Sequence, residues 1–530
     1  MALVSIDMLG SAGVNKDLPN WRLPPEAMTD ARNMRFQENA VQRMLGDASY
    51  ATPSADPWWL LPVPNALQHW WLYAGATDVY SMDSSGAHTN ITRAVGGTYI
   101  AQLLSGWNGD VFNGLPVLNN GFDDPQSWIP AAGNKLVKLA NWPANTKCKV
   151  MRSFKNYLVA LDITDASGRD PYSVFWSHEA VPGTLPSSWN VADPTVDAGR
   201  LSLAESGGFL VDCLPLKSLN IVYKEDQTHY MQYVGGPAVF NFDKVLKFDG
   251  LFARNCAKAI NLKGEKHVAW MRNDMIVHDG QTTQSLGSSR MRKWIFSRVD
   301  GTNYPLSHAV VNYEKNEVWF CFPEIGNSYC NLAACWNWME DTWTMRDIPQ
   351  VPYSTAGILP VISSSGTWDS DATAWDTDLS TWDERAYSPT APKILMAKPG
   401  SAKSLTQAET TNQFTGANFT SYVERQDLSI LGKDWRGNWM VDTSMRKLVT
   451  EVWPRVEAAT GTQIDVYVGK RDNLNDSIVY SGPYPFVVGQ DQKVNPLVEG
   501  RYISFKFQSA GNTFWKMTGY DFEVVATGRF

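Results

Sequence analysis

HVAWMRNDMIVHDGQTTQSLG (residues 267–287) and NEVWFCFPEIGNSYCNLAACWNWMEDTWTM (316–345) are the stretches on which the fold turns. Each is built of short apolar or β-branched runs stopped within a few residues by Asn, Asp, Gly or Pro, the pattern of an antiparallel meander. No run is long enough to be stable alone, so the strands must pair and the small sheet they make must find cover. A single unit of this kind would be an ordinary β-domain. An array of them would be something else.

Working outward, the unit recurs. LQHWWLYAG and TDVYSM (67–82), DVFNG and LPVLNNG (110–121), NYLVALDIT and YSVFWSH (156–178), and SLNIVYKED, THYMQYVGG and AVFNF (218–242) repeat it. The units start near residues 67, 111, 156, 218, 267 and 316, and KILMAK (393–398) is a candidate seventh. Repeats of about 40–50 residues, each a small up-and-down sheet, point to propeller blades stacked around an axis. One β-sandwich or two in tandem would share the short strands and turns; the repetition favours the propeller. The fold class read here is therefore all-β, an irregular β-propeller of six or seven blades.

On either side the texture changes. Residues 1–60 read as an extended N-terminal arm: LPNWRLPP (18–25) carries three prolines, EAMTDARNMRF (26–36) suits a short helix or an extended run, and Pro53, Pro57, Pro62 and Pro64 keep the chain extended. Such an arm needs a surface to lie against, and a neighbouring subunit is expected to provide it. The propeller is assigned to residues 61–415. It includes GTWDSDATAWDTDLSTWDER (366–385), a polar loop pinned by Trp368, Trp375 and Trp382. Asp369, Asp371, Asp376 and Asp378 there suit either a Ca²⁺ site or, the favoured reading, turns capped by their own side chains. Residues 416–530 form a C-terminal β-sandwich-like module, in which RYISFKFQS alternates Ile503, Phe505 and Phe507 on one face with Tyr502, Ser504 and Lys506 on the other.

Composition narrows the function. With 19% charged and 12% aromatic residues the chain is globular and turn-rich, and its formal net charge of −8 argues against a dedicated nucleic-acid binder, leaving Arg290, Arg292 and Lys293 as a local basic spot. Cys148, Cys213, Cys256, Cys321, Cys330 and Cys335 make no CxxC and no disulfide framework, so free thiols are expected. The N-terminus lacks the features of a signal peptide, and no run approaches the length of a membrane span.

No motif of catalysis stands out. His69, His88, His178, His229, His267, His278 and His308 form no HxxxH pair, and no nucleophile elbow or phosphate loop is present. SMDSSGAHT (81–89) comes near the Asp-box turn of sialidase-like propellers but has one residue too many and Asn90 where an aromatic belongs, so a hairpin turn is the better reading. A propeller glycosidase needs only two or three carboxylates across a pocket, and these leave no local signature.

GVNKDLPNWRLPPEAMTDARNMRF (13–36), the 267–287 stretch, ACWNWMEDTWTMRDIP (334–349), the repeated TWD, GRYISFKF (500–507) and GYDFEVVATGRF (519–530), taken in that order, resemble the nozzle or hub protein, tail tubular protein B-like, of short-tailed bacteriophages. The resemblance implies a virion structural subunit rather than an enzyme, with no cofactor and no catalytic or metal residue assigned. It implies a homo-oligomeric ring, a hexamer, below the portal and the tail adaptor, with tail fibres or a needle nearby and double-stranded DNA in transit. It also implies assembly in the bacterial host cytoplasm and residence in the virion. Two rival readings stay open: a glycan-cleaving tail propeller and a host-glycan-binding one.

Overall fold

The computed structural model describes residues 2–64, 68–245, 250–359 and 392–529. Within these, seven four-stranded antiparallel sheets follow one another along the chain. Blade one runs from Trp59–Val63 to His88–Asn90, blade two from Asn108–Phe112 to Val137–Lys138, and blade three from Lys147–Phe154 to Gly199–Ser202. Blade four runs from Leu210–Leu216 to Val239–Lys244, blade five from Ala257–Asn261 to Thr283–Ser285, and blade six from His308–Asn312 to Thr342–Val351. Blade seven is Tyr353–Gly357, Lys393–Lys398 and Ser404–Ala408, completed by Asp47–Ala51 from the other end of the chain. The first strands touch in a cycle that returns from blade seven to blade one. This is a seven-bladed β-propeller.

The second strands explain the apolar runs. Trp70–Ala74, Glu317–Phe322 and most of Tyr157–Asp165 are buried on both faces, because each blade lies between two others. Such strands read as continuous hydrophobic runs instead of alternating ones. Outer strands such as Val137–Lys138 and Thr283–Ser285 are exposed and short. Apart from the unit near 111, which starts on the inner strand Asn108–Phe112, the sequence units therefore begin on the second strand of a blade, and the inner strand, more polar and less regular, precedes each.

The expected arm is corrected. Val4 and Ile6 lie opposite Phe522 and Tyr520, as Ala2–Asp7 pairs with the strand Trp515–Arg529. Asp30–Arg32 pairs with Ser421–Leu428, and the hairpin of Met34–Gln37 and Ala40–Arg43 joins Trp515–Arg529 through Val41 and Met517. The N-terminal residues thus complete the two sheets of the C-terminal sandwich, where Val4, Ile6, Met34 and Phe36 are buried. No helix forms over 26–36. Much of the arm's apolar surface is thus covered within its own chain, although Leu3, Met8, Leu18 and Trp21 stay exposed. The second face of the strand Tyr502–Ser509 is also covered: Ser504 is buried, and its hydroxyl accepts the Asp427 amide. The repeat 366–385, with Asp369, Asp371, Asp376 and Asp378, lies outside the described residues.

A buried charge network locks sandwich to propeller. Arg35 forks onto Glu317 of blade six at 2.6 and 3.0 Å and reaches Glu409 at 3.2 Å. Arg346, also in blade six, holds Glu409 and, at 2.5 Å, Asp47 of the closing strand. The Arg346 guanidinium further donates to the Leu45 carbonyl and lies over the Trp319 ring. The N-terminal segment, blade six and the closure of blade seven therefore share one set of ion pairs.

Candidate functional site: the axial cavity

The first strands enclose a cavity of about 380 Å³ on the propeller axis, the size of a small-molecule site. Trp59, Asp110, Arg152, Asp212, Lys258 and Tyr353 line it, from six of the seven blades. A second space of about 30 Å³ adjoins it, sharing Trp59, Asn255 and Tyr353 and bordered by Arg254 and His308.

Arg152 is the organising residue. Its guanidinium forks onto Asp212 at 2.8 and 2.9 Å, donates to the Gly109 carbonyl at 2.9 Å and to the Asn255 side chain at 2.8 Å. Blades two, three and four and the approach to blade five are thereby pinned at the axis. Burial pushes the Asp212 carboxyl up, but Arg152 and the Asn255 amide more than offset it and hold it below the usual carboxylate range. Burial alone would lower Arg152; Asp212 raises it above its ordinary value. Asp110 accepts both the amide and the hydroxyl of Ser153, at 3.2 and 2.5 Å. Arg254 is held by the carbonyls of Ser105, Gly106 and Lys149, and burial lowers it to about 10.

Tyr223, between blades four and five, also reaches the cavity. His267 and His278 face each other across the hairpin of blade five, and both bond the Tyr223 hydroxyl, at 2.9 and 2.8 Å. Nε2 of His267 lies 2.8 Å from the Pro215 carbonyl, which can only accept. The hydrogen-bond logic therefore runs from His278 Nε2–H to the tyrosine oxygen, and from its hydroxyl to His267 Nδ1. Both rings are neutral: burial lowers His267 to about 4 and His278 to about 3. His308 is wired likewise between blades six and seven, with Nδ1 2.9 Å from the Leu306 carbonyl and Nε2 accepting the Ser354 amide at 3.0 Å.

These groups chiefly bind strand to strand. Both axial aspartates are engaged, Asp212 by a guanidinium and Asp110 by two donors. Lys258 is half-buried, and among the described residues its ammonium has no ion pair or hydrogen bond. The sequence motifs fall elsewhere. The 81–89 segment is a hairpin turn in which Asp83 accepts the amides of Ser85 and Ala87. Arg290 pairs with Asp341, and Asp17 accepts the Lys293 and Trp294 amides at the start of a single helical turn, Arg292–Phe296. Sequence reading missed Arg152, Asp212 and Lys258, whose strands carry no motif; their only signal is a polar residue repeated one strand ahead of each apolar run.

Among the described residues no group of His, Cys, Asp and Glu is placed to hold a metal ion, and no helix is long and apolar enough to cross a membrane. No protein family and no curated protein matches the sequence. Three solved structures align with the chain at 7–9% identity. The WD40 β-propeller domain of Doa1 aligns over 69% of this chain and 98% of its own, with a TM-score of 0.37. The CNH domain of AfRom2 aligns over 70% and 99%, at 0.36. PorZ, a bacterial surface component of the type-IX secretion system of Porphyromonas gingivalis, aligns over 86% of this chain but 48% of its own, at 0.33, so the chain spans about half of that protein. The propeller stands on the chain's own sheet order.

Proposed function

We propose that this chain is a structural subunit of a short phage tail, a nozzle or hub protein that assembles into a ring below portal and adaptor and carries fibres or a needle. The observation that carries the reading is the ordered set of segments from 13–36 to 519–530 that resembles that family. One feature of the fold supports it. A propeller and a sandwich laced by one N-terminal segment and a buried ion network make a stiff body suited to permanent contacts. The axial cavity of about 380 Å³, crossed by the Arg152 side chain, is far too small for a duplex whose major groove alone is about 12 Å wide. A genome channel would then lie between subunits, and a closed ring of heterologous contacts provides one.

Native mass measurement and electron micrographs of the chain, alone and with its adaptor, test this. A ring of six copies is expected. A monomer at high concentration with its partners present would overturn the reading. Release of reducing ends from host polysaccharide, lost on changing Asp110 or Asp212, would replace it with the glycan-cleaving alternative.

A further inference from the structure

The bonds that lock the axial strands together leave some of the cavity's polar groups over. Arg152 answers to Asp212, which it forks, and Asp110 adds to the same charge balance. The two acids take their other donors from Ser153 and from the Asn255 amide. On the side of blades five and seven the accounts stay open. Among the described residues the Lys258 ammonium and the Thr355 hydroxyl make no hydrogen bond or ion pair, although both line the cavity. Asn255 must turn its side-chain oxygen to the Arg152 guanidinium, which can only donate, so Nδ2 is its atom left without a partner among the described residues.

The ammonium and the amide nitrogen can only donate, and the hydroxyl can donate as well. Unspent donors facing one cavity call for acceptor oxygens from outside the chain. The charges agree. Of the groups lining this cavity and the smaller one beside it, Arg152, Arg254 and Lys258 are cations, and only Asp110 and Asp212 are acids. Arg254 is held by carbonyls and has no ion pair among the described residues, so Asp110 and Asp212 leave a cation uncompensated at the axis. The rest of the wall is apolar. Trp59 and Tyr353 stack with centroids 6.4 Å apart and planes at 30°, and Leu61, Val111 and Leu214 continue the surface. An apolar pocket with a few polar groups is the form of a small-molecule site, and about 380 Å³ suits one ring rather than a polymer.

We propose that the axial cavity binds a small organic carboxylate built on a single ring. Lys258 takes the carboxylate, Asn255 Nδ2 and the Thr355 hydroxyl donate to oxygens of the ligand, and the ring lies against Trp59 and Tyr353. An inorganic oxyanion would supply the charge and leave the apolar wall unmatched. A neutral sugar would match the wall and leave Lys258 bare. This site goes beyond the tail-subunit reading and does not rest on it.

The test is saturation-transfer NMR and calorimetric titration of the full chain with D-glucuronate and with benzoate. Glucose and inorganic phosphate are the controls, and wild type is compared with Lys258→Met and Thr355→Val. Lys258 holds no partner in the fold, so the melting temperature of Lys258→Met is expected to stay near that of wild type. Wild type is expected to bind a ring carboxylate, and Lys258→Met to bind it about 10- to 100-fold more weakly through loss of one charge-assisted hydrogen bond. Thr355→Val is expected to weaken it less. Undiminished binding by a folded Lys258→Met chain would overturn the proposal. So would glucose binding as tightly as glucuronate, phosphate binding as tightly as either carboxylate, or a wild-type chain that binds neither carboxylate. The wild-type comparisons decide the matter even where a variant fails to fold, and none of them depends on the ring mass that tests the tail-subunit reading.

Discussion

Acid should destabilise this protein from about pH 6.5 downward. His308 accepts the Ser354 amide at Nε2 and His267 accepts the Tyr223 hydroxyl at Nδ1, so protonating either ring turns an acceptor into a donor facing a donor. Burial holds His267, His278 and His308 down to about 4, about 3 and about 4. In the unfolded chain these rings take up protons near pH 6.5. Between pH 6.5 and about 4 the unfolded state therefore binds more protons than the folded one, and stability falls as the pH falls; above pH 6.5 the full contribution is present. For one such histidine the loss from pH 7 to pH 5 is about 2 kcal/mol. Each of the three rings takes up its own proton in the unfolded chain, which makes about 6 kcal/mol. Asp47 acts in the opposite sense. Burial, partly countered by Arg346, raises it to about 6, so the folded chain takes up that proton first. It returns about 1 kcal/mol over the same interval, leaving a net loss of about 5 kcal/mol. Asp212 and Glu409 are held below their ordinary values and titrate at lower pH than this window.

The assay is urea unfolding followed by tryptophan fluorescence at pH 7, 6 and 5, for wild type and His308→Gln. The wild-type midpoint should drop steadily over that range, and the variant, weaker at pH 7, should show a pH gap smaller by about 2 kcal/mol. Equal wild-type midpoints at pH 7 and pH 5, or an undiminished gap in the variant, would refute the reasoning.

Three further outcomes follow from the packing. Arg346→Met leaves Asp47 and Glu409 buried beside one arginine fewer and should cost about 3–5 kcal/mol in urea unfolding, with part recovered by adding Asp47→Asn. Deleting residues 2–43 should yield insoluble chain, not a folded monomer lacking an arm, because Val4, Ile6, Met34 and Phe36 fill the sandwich core; soluble, cooperatively melting protein would contradict this. All six cysteines are buried free thiols, and burial raises each above its ordinary value, so a thiol reagent should react with them only at the rate of unfolding.

What the sequence discloses follows from where each strand lies. WWLYA, NYLVALDIT and EVWFCF are legible because a strand between two blades is apolar on both faces. The inner strands KCKVMRSF and LVDCLPL are not, since their faces toward the axis carry Arg152 and Asp212 and break the run. The His267–His278 pair stood in the opening stretch as two histidines in a hairpin, yet its partner Tyr223 is in another blade. The N-terminal strands were least legible, because their partners lie hundreds of residues away and no local periodicity records a pairing such as Ile6 with Tyr520 or Asp47 with Ala408. An arm with apolar side chains and no visible sheet is ambiguous in principle between a neighbour's surface and the far end of its own chain.

That ambiguity, once resolved, constrains how the molecule forms. Residues 2–43 complete the sandwich with strands from beyond Ser421, and residues 47–51 close the propeller against Ser404–Ala408. Neither domain can finish before almost the whole chain is present, and the closing contacts carry the largest loop-closure entropy. The ion network is where both completions meet: Arg35 arrives with the sandwich strands, Asp47 with the closing strand, and Glu317, Arg346 and Glu409 wait in blades six and seven. Until Arg35 arrives Glu317 lacks its cation, and until Asp47 arrives Arg346 lacks one of its two acids. A partly closed chain is thus penalised at this junction, which makes closure of the propeller and completion of the sandwich a single cooperative event.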